Sequence, residues 1–127
     1  MPVRNIRLTL AYDGSEFSGW QVQARGRTVQ GVIEEALARM HGHPVRIQGA
    51  GRTDAGVHAT GQVANFHTDL NSIEGPRWCV ALNSYLPHDV RALDSREAPA
   101  EFNAKECALL RAYAYYLYTA PIGPPHI

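Results

Sequence analysis

Apolar and polar residues alternate near the start of the chain, over residues 3–12. Ile6, Leu8 and Leu10 fall on one side of this segment, and charged or hydroxyl side chains fall on the other. A period of two residues indicates a strand with one buried face. A second strand is predicted to begin at Val45 and to run into Gly49. Three further strands are predicted over residues 62–67, 90–93 and 109–118.

Two segments have the spacing of helices. Thr28 can cap the first of them, and the sequence His41-Gly42-His43-Pro44 ends it. A second helix is predicted over residues 74–86, with Trp78 and Tyr85 facing the core. The apolar positions of the first helix recur at helical intervals: Val29, Val32, Ile33, Ala36, Leu37 and Met40.

The elements follow one another as strand, helix, strand, strand, helix, strand, which is the split β-α-β order of ferredoxin-like domains. We therefore predict an α+β fold in which two helices pack on an antiparallel sheet, with one extra strand at residues 109–118. Residues 1–120 are expected to form this domain. Residues 121–127 contain several prolines and are expected to be a linker or a frayed end.

Length and composition narrow the class of protein. A chain of 127 residues can bury a core as one domain, and it has no apolar run long enough to span a membrane. The N-terminus has no signal-peptide core. Cys79 and Cys107 are far apart and lack a paired-cysteine motif, so we expect free thiols and a cytoplasmic location.

The net charge is zero, but the positive charges are unevenly distributed. Lys105 is the only lysine, and residues 1–60 carry an excess of arginine over acidic residues. Arginine suits contacts to phosphates and bases, which makes a basic RNA-binding face one interpretation. Scattered, solvated charge is an equally good one.

The most unusual stretch is the glycine-rich segment at residues 49–68, which is centred on Arg52-Thr53-Asp54. So many glycines favour a backbone that turns sharply or lets another molecule come close. The functional interpretation is an active-site loop in which Asp54 reacts and Arg52 is its electrostatic partner. The simpler interpretation is a turn in which Asp54 bonds its own backbone and Gly56 supplies a positive φ.

Other segments supply candidate partners for Asp54. An aromatic and basic loop contains Trp20, which we expect to be a core residue, and Arg25 and Arg27, which suit RNA contacts. Tyr113 offers a ring for stacking on a base and a hydroxyl for proton transfer. A metal-dependent hydrolase using Asp54, His58 and His67 is a weak alternative, because their spacing matches no established ligand pattern.

The string Gly-Arg-Thr-Asp-Ala-Gly-Val-His at residues 51–58 resembles the signature of the TruA-type tRNA pseudouridine synthase family. The similarity extends over essentially the whole chain. It includes Tyr-Asp-Gly-Ser at residues 12–15 with Gly-Trp-Gln at 19–21, Thr28-Val29-Gln30 with Glu34, Leu-Asn-Ser-Tyr-Leu-Pro at 82–87, Phe-Asn-Ala-Lys at 102–105 and Arg-Ala-Tyr-Ala-Tyr at 111–115.

The resemblance implies an isomerase that converts uridine to pseudouridine at positions 38–40 of the tRNA anticodon arm, without metal or cofactor. It implies that Asp54 is the catalytic aspartate. Arg52 would enter the space left by the flipped base and pair with that carboxylate, and Tyr113 would stack on the target uracil. The candidate contacts to the rest of the RNA are Arg25, Arg27, Lys105 and Arg111.

Members of this family are about twice as long, pair as homodimers and have a second, similar half that completes the cleft. The chain is therefore expected to be the N-terminal catalytic half or a shortened protein. A non-catalytic RNA-binding module is the alternative that the length leaves open.

Overall fold

The structure, a computed structural model, describes residues 3–106, which form a four-stranded antiparallel sheet with two helices. The strands lie in the order β2-β3-β1-β4, the order of a ferredoxin-like sheet, and the predicted α+β fold is confirmed. The elements are β1 (Arg4–Tyr12), α1 (Val29–His41), β2 (Ile47–Gly49), β3 (Ala59–Thr68), α2 (Trp78–Asn83) and β4 (Val90–Ala98), with 3-10 turns at Gly14–Glu16 and Gly75–Arg77. The predicted strand at residues 109–118 and the predicted tail at 121–127 lie outside the described residues.

Strand β1 is the centre of the sheet, because it pairs with both β3 and β4. Its inward residues Ile6, Leu8 and Leu10 have no exposed surface, as their alternation predicts. Helix α1 packs on the same face through its buried residues, which include Ile33 and Leu37. The core therefore lies between the helices and one face of the sheet.

The ends of α1 are set by the residues that the sequence indicates. Thr28 accepts a hydrogen bond from the Gly31 N–H through its side chain, and Gly42 ends the helix with a φ of 78°. A residue in this left-handed conformation is commonly glycine, because glycine has no Cβ to clash. The His41 ring lies 2.6 Å from the Leu37 carbonyl oxygen and 2.7 Å from the Thr68 hydroxyl, which ties the end of α1 to β3.

The second helix is shorter than predicted, and the assignment of Tyr85 to the core is wrong. Trp78 is fully buried as predicted, but Tyr85 is 40% exposed. The helix ends at Asn83, whose side-chain amide binds the backbone N–H and C=O of Ala92 on β4. The chain then turns, so Tyr85 leaves the helical face that the spacing assumes, and its ring lies 5.4 Å from the Arg39 guanidinium carbon.

Strand β4 is longer than the predicted segment at residues 90–93. It extends to Ala98, which pairs with Asn5 at the far end of β1. Because β1 offers backbone partners along its whole length, residues 94–98 form a strand although most of them are polar or charged. Charged residues are common on edge strands, where they discourage pairing with another chain.

Cys79 carries no disulfide, whereas Cys107 lies outside the described residues. Within residues 3–106, neither helix is long and apolar enough to cross a membrane.

Candidate active site

Arg52 and Asp54 lie on the connection between β2 and β3, at residues 50–58, as the sequence predicts. This connection, here called the Asp54 loop, is docked on the segment of residues 12–20. The Trp20 N–H donates a hydrogen bond to the Thr53 carbonyl (3.0 Å), and the Gly56 N–H donates one to the Phe17 carbonyl (3.2 Å). These two backbone hydrogen bonds hold the Asp54 loop against residues 12–20.

The side chain of Thr53 adds a third attachment. Its hydroxyl lies 2.8 Å from the hydroxyl of Tyr12, which is almost completely buried at the end of β1. The residues on either side of Thr53, Arg52 and Asp54, are exposed. The inward threonine therefore anchors the centre of the motif while its charged neighbours face solvent.

The connection between β1 and α1, residues 13–28, is here called the first loop. Two of its glycines let its backbone approach that of the Asp54 loop closely. A Cβ on Gly14 would lie 1.9 Å from the Val57 carbonyl oxygen, and a Cβ on Gly19 would lie 2.6 Å from the Thr53 carbonyl oxygen. Gly19 also has a φ of 91°, which side chains rarely adopt. Gly14 and Gly19 are therefore required for the docking of the Asp54 loop.

The chain reverses just after Asp54. The Val57 N–H donates to the Asp54 carbonyl (3.1 Å), and Gly56 has a φ of 81°, as the third residue of a type II turn requires. Only the backbone of Asp54 takes part in this turn. Within residues 3–106 its carboxylate has no hydrogen-bond or ion-pair partner, so the acid is available to a bound molecule.

His58 closes the loop, and its ring acts as an anchor. Its Nδ1 lies 2.9 Å from the Gly14 backbone nitrogen and 3.2 Å from an Asp13 carboxylate oxygen. The Gly14 N–H can donate only to an unprotonated Nδ1, so this contact favours the tautomer with its proton on Nε2. In that state the Asp13 contact is not an ion pair. Hydrogen bonds from Ser15 account for most of the lowering of the Asp13 pKa.

A pocket of about 610 Å³ opens beside the Asp54 loop. Trp20, Ile47 and Gly49 contribute apolar or backbone surface, and both Arg52 and Lys105 line it. A Cβ on Gly49 would lie 2.6 Å from the Trp20 ring, so this glycine lets the buried indole reach the end of β2. The pocket is large enough for a nucleotide-sized ligand.

Two side chains of α1 hold the wall of this pocket in place. Glu34 accepts a hydrogen bond from the Ile47 N–H (3.0 Å), and Gln30 accepts one from the Val22 N–H (2.9 Å). Gln30 also donates to the Glu34 carboxylate (3.2 Å). The Thr28-Val29-Gln30 and Glu34 pattern thus caps the helix and binds the backbone of edge strand β2.

Comparison with known proteins identifies the family of this chain. A family profile described as tRNA pseudouridine synthase matches residues 9–106. The chain belongs to this family. The match includes both docked loops and the residues that line the pocket.

Several curated relatives carry the name tRNA pseudouridine synthase A. The protein of Brachyspira hyodysenteriae is 44% identical over 123 residues, which is 97% of this chain and 49% of the relative. That of Solidesulfovibrio magneticus is 50% identical over 119 residues, covering 91% and 43% of the two chains. That of Ruminiclostridium cellulolyticum is 45% identical over 119 residues, covering 94% and 48%. The chain thus spans about half the length of the curated relatives it matches.

Three of the other predicted site residues lie in the described part of this synthase-family chain, and two lie outside it. Arg25 is exposed and has no partner within residues 3–106, and Lys105 is exposed on the pocket. Arg111 and Tyr113 lie outside the described residues, so their roles stay predictions. Arg52 and Asp54 form no ion pair with each other in the described part of the chain; the arginine–carboxylate pairs found there join Arg4 to Glu97, Arg27 to Asp89 and Arg96 to Asp94.

Arg27 has a structural partner that the sequence does not reveal. Its guanidinium forms two hydrogen bonds with the Asp89 carboxylate, at 2.6 and 3.0 Å, and stacks 4.2 Å from the centre of the Phe17 ring. These two hydrogen bonds, here called the Arg27 fork, raise the pKa of Arg27 and lower the pKa of Asp89. The pair links the first loop to the residue before β4.

The metal-hydrolase alternative finds no support in the described residues. Among residues 3–106, no three His, Cys, Asp or Glu side chains are grouped so that they could hold a metal ion. Asp54 and His58 sit in the loop, whereas His67 is near the far end of β3. Sequence reasoning missed the anchoring roles of Tyr12, His58 and Asp89, because each depends on a contact distant in sequence.

We predict that Gly14→Ala lowers the free energy of unfolding by about 1–3 kcal/mol, because the new methyl group overlaps the Val57 carbonyl and neither backbone can move freely. Gly61→Ala is the control, since its Cβ would meet nothing within 4 Å. Urea unfolding of both variants measures the difference. Equal effects of the two substitutions would contradict the docking of the loops.

We also predict that Asp89→Asn lowers the free energy of unfolding by about 1 kcal/mol at pH 7, because it replaces the charged half of the Arg27 fork. The folded-state pKa of Asp89 is below 3.8, so the stabilisation is present above that pH and is lost as the pH falls further.

The wild type and Asp89→Asn are unfolded with urea between pH 7 and pH 3. The difference in their free energy of unfolding should become smaller towards pH 3. Asp94→Asn, which breaks an exposed contact with Arg96, serves as the control. A difference in free energy of unfolding that does not change with pH would rule out the charge of Asp89 as its source.

Proposed function

We propose that this chain is the Asp54-bearing half of a cytoplasmic tRNA pseudouridine synthase that acts on uridines 38–40 of the anticodon arm. The observation that carries the proposal is the exposed Asp54 carboxylate, which has no partner within residues 3–106, in a loop whose backbone is held by residues 12–20. Chemistry on an extruded base needs a reactive group on a fixed backbone. Arg52 of the same loop lines the nucleotide-sized pocket, whereas Asp54 is not among the lining residues. Membership of the synthase family supports the same assignment.

The reaction is an isomerisation, and it needs neither metal nor cofactor. The bond from ribose C1′ to uracil N1 breaks, and a bond from C1′ to C5 forms. C5 then loses its hydrogen and N1 gains a proton, so the atoms of the nucleotide balance. In this scheme the Asp54 carboxylate acts as nucleophile or base, and Arg52, two residues earlier, supplies positive charge near it.

Positive and aromatic side chains would bind the RNA. Arg52 and Lys105 line one pocket, and Arg25 is exposed on the first loop. Arg27 is engaged by Asp89, so we assign it first to folding and only second to RNA. Tyr113 would stack on the flipped uracil, and Arg111 lies two residues before it in sequence. Pairing into a homodimer is part of the proposal, as the family resemblance implies.

A second candidate function follows from the length of the chain. Because it spans about half of its curated relatives, it could bind tRNA without completing the reaction. Salt-dependent tRNA binding with no pseudouridine formed would identify such a module.

We predict that Asp54→Asn reduces release of the uracil C5 hydrogen from tRNA by at least about 10³-fold, because the amide cannot serve as nucleophile or base. Labelled tRNA and the intact gene product are used. Asp69→Asn is the matched control, since Asp69 is an exposed acid at the other end of β3 and contacts His43. If Asp54→Asn turns over like Asp69→Asn, Asp54 is not catalytic.

We predict that Tyr113→Phe keeps the affinity for tRNA but slows hydrogen release by about 10²-fold, because the ring remains and the hydroxyl is lost. Tyr113→Leu should also weaken binding, since a stacked base contributes about 1–3 kcal/mol. The exposed Tyr85 provides the control substitution Tyr85→Leu. Unchanged binding and turnover in both Tyr113 variants would exclude contact with the target base.

A further inference from the structure

Residues 99–106, here called the strap, cross the face of the sheet that the helices leave open. The chain leaves β4 at one edge, passes Asn5 on β1 and Asn65 on β3, and reaches Gln48 on β2 at the other edge. Asn5 precedes Ile6, and Asn65 lies between two core residues, so alternation directs both amides away from the helices. They are nevertheless buried, with exposures of 2% and 0%.

The two amides bind the strap through its backbone. Asn5 donates to the carbonyls of Pro99 (2.9 Å) and Phe102 (2.8 Å). Asn65 accepts from the Ala104 N–H (2.8 Å) and donates to the Asn5 side-chain oxygen (3.0 Å). Every polar atom of the pair therefore has a partner, as a buried polar network requires.

This attachment decides where the strap ends. Residues 104–106 are helical, and Asn103 caps them by accepting a hydrogen bond from the Glu106 N–H (3.0 Å). The Asn103 amide also donates to the Gln48 side chain on the edge strand. Lys105 is thereby brought to the pocket that Arg52 lines, although the two residues are distant in sequence.

We propose that Asn5 and Asn65 are positioning residues for the RNA site: their buried amides hold the strap across the sheet and so place Lys105 at the Arg52 pocket. The inference rests on the proposed function, because it assumes that the pocket receives part of the tRNA. Neither asparagine touches the substrate. Their effect is on the placement of a cation, and hence on binding more than on chemistry.

The test is Asn65→Ala in the intact gene product, compared with Asn83→Ala. Asn83 also binds backbone N–H and C=O groups, at 2.7 and 2.9 Å, but it links α2 to β4 and does not touch the strap. The two variants thus lose a similar kind of interaction at different places. Asn5→Ala is the second test variant, since it leaves the bond between Asn65 and Ala104 possible.

Three readouts are measured: hydrogen exchange of the Ala104 amide, KM for tRNA and kcat. In Asn65→Ala we expect exchange at Ala104 to accelerate at least about tenfold and KM to rise about fivefold to tenfold, with kcat changed less than about twofold. Lys105→Ala should raise KM to a similar extent with Ala104 exchange unchanged. The double variant Lys105→Ala with Asn65→Ala should have a KM little higher than either single variant, because both substitutions remove the same contact of Lys105 with tRNA.

An Asn65→Ala variant with fast exchange at Ala104 and normal KM would overturn the proposal, as would an equal rise of KM in Asn83→Ala. If Asn65→Ala does not fold, Asn5→Ala decides through KM: it removes the bonds to the Pro99 and Phe102 carbonyls, and a normal KM in it would overturn the proposal. Should the unaltered protein form no pseudouridine, the proposed catalysis fails, and the Kd for tRNA replaces KM. Unchanged tRNA affinity in the asparagine variants would then reject the positioning role separately.

Discussion

The docking of the Asp54 loop on residues 12–20 is the constraint on which the site depends. Two backbone hydrogen bonds and the contact between the Tyr12 and Thr53 hydroxyls hold a segment that has no regular structure of its own. Gly14 and Gly19 make this possible, because a side chain at either would occupy space already filled by the opposing backbone. The close approach thus depends on the glycines of residues 12–20, whereas Gly51 and Gly56 of the Asp54 loop have open space at their Cβ positions. The exposed acid gains a defined position without being buried itself.

Side-chain amides and carboxylates perform the same task on both faces of the sheet. On the helical face, Gln30 and Glu34 bind the backbone of the first loop and of β2. On the open face, Asn5 and Asn65 bind the strap. Each of these groups satisfies backbone atoms that no strand or helix would otherwise pair. The pocket beside Arg52 is therefore assembled from segments that are distant in sequence but fixed to one central sheet.

The basic residues separate into two groups when their contacts are compared. Arg4 and Arg27 are held by acidic partners, and the guanidinium of Arg27 also covers the Phe17 ring. Arg25, Arg52 and Lys105 are exposed and, within residues 3–106, have no such partner. Counting arginines in the sequence cannot make this distinction, because a fork with a carboxylate is a tertiary contact. Arg25 lies on the first loop, and Arg52 and Lys105 line the pocket. Arg46, Arg77 and Arg91 are also exposed without an acidic partner within residues 3–106, so exposure alone does not mark the site.

Local patterns in the sequence are enough to predict the order of strands and helices, the caps of α1, the inward face of β1 and the position of Asp54 between two strands. These features depend on local periodicity and on residues such as Thr28 and Gly42, whose conformational preferences are intrinsic. Four features depend instead on contacts made in the folded chain. Tyr85 is exposed, β4 continues to Ala98, Arg27 binds Asp89, and Asn5 and Asn65 hold the strap. In each of these cases the outcome depends on a partner supplied by another part of the chain: the backbone of β1, the Ala92 backbone, a carboxylate before β4 or a segment crossing the sheet. A pattern read along one segment contains no information about that partner, and so its effect emerges only when the chain is folded.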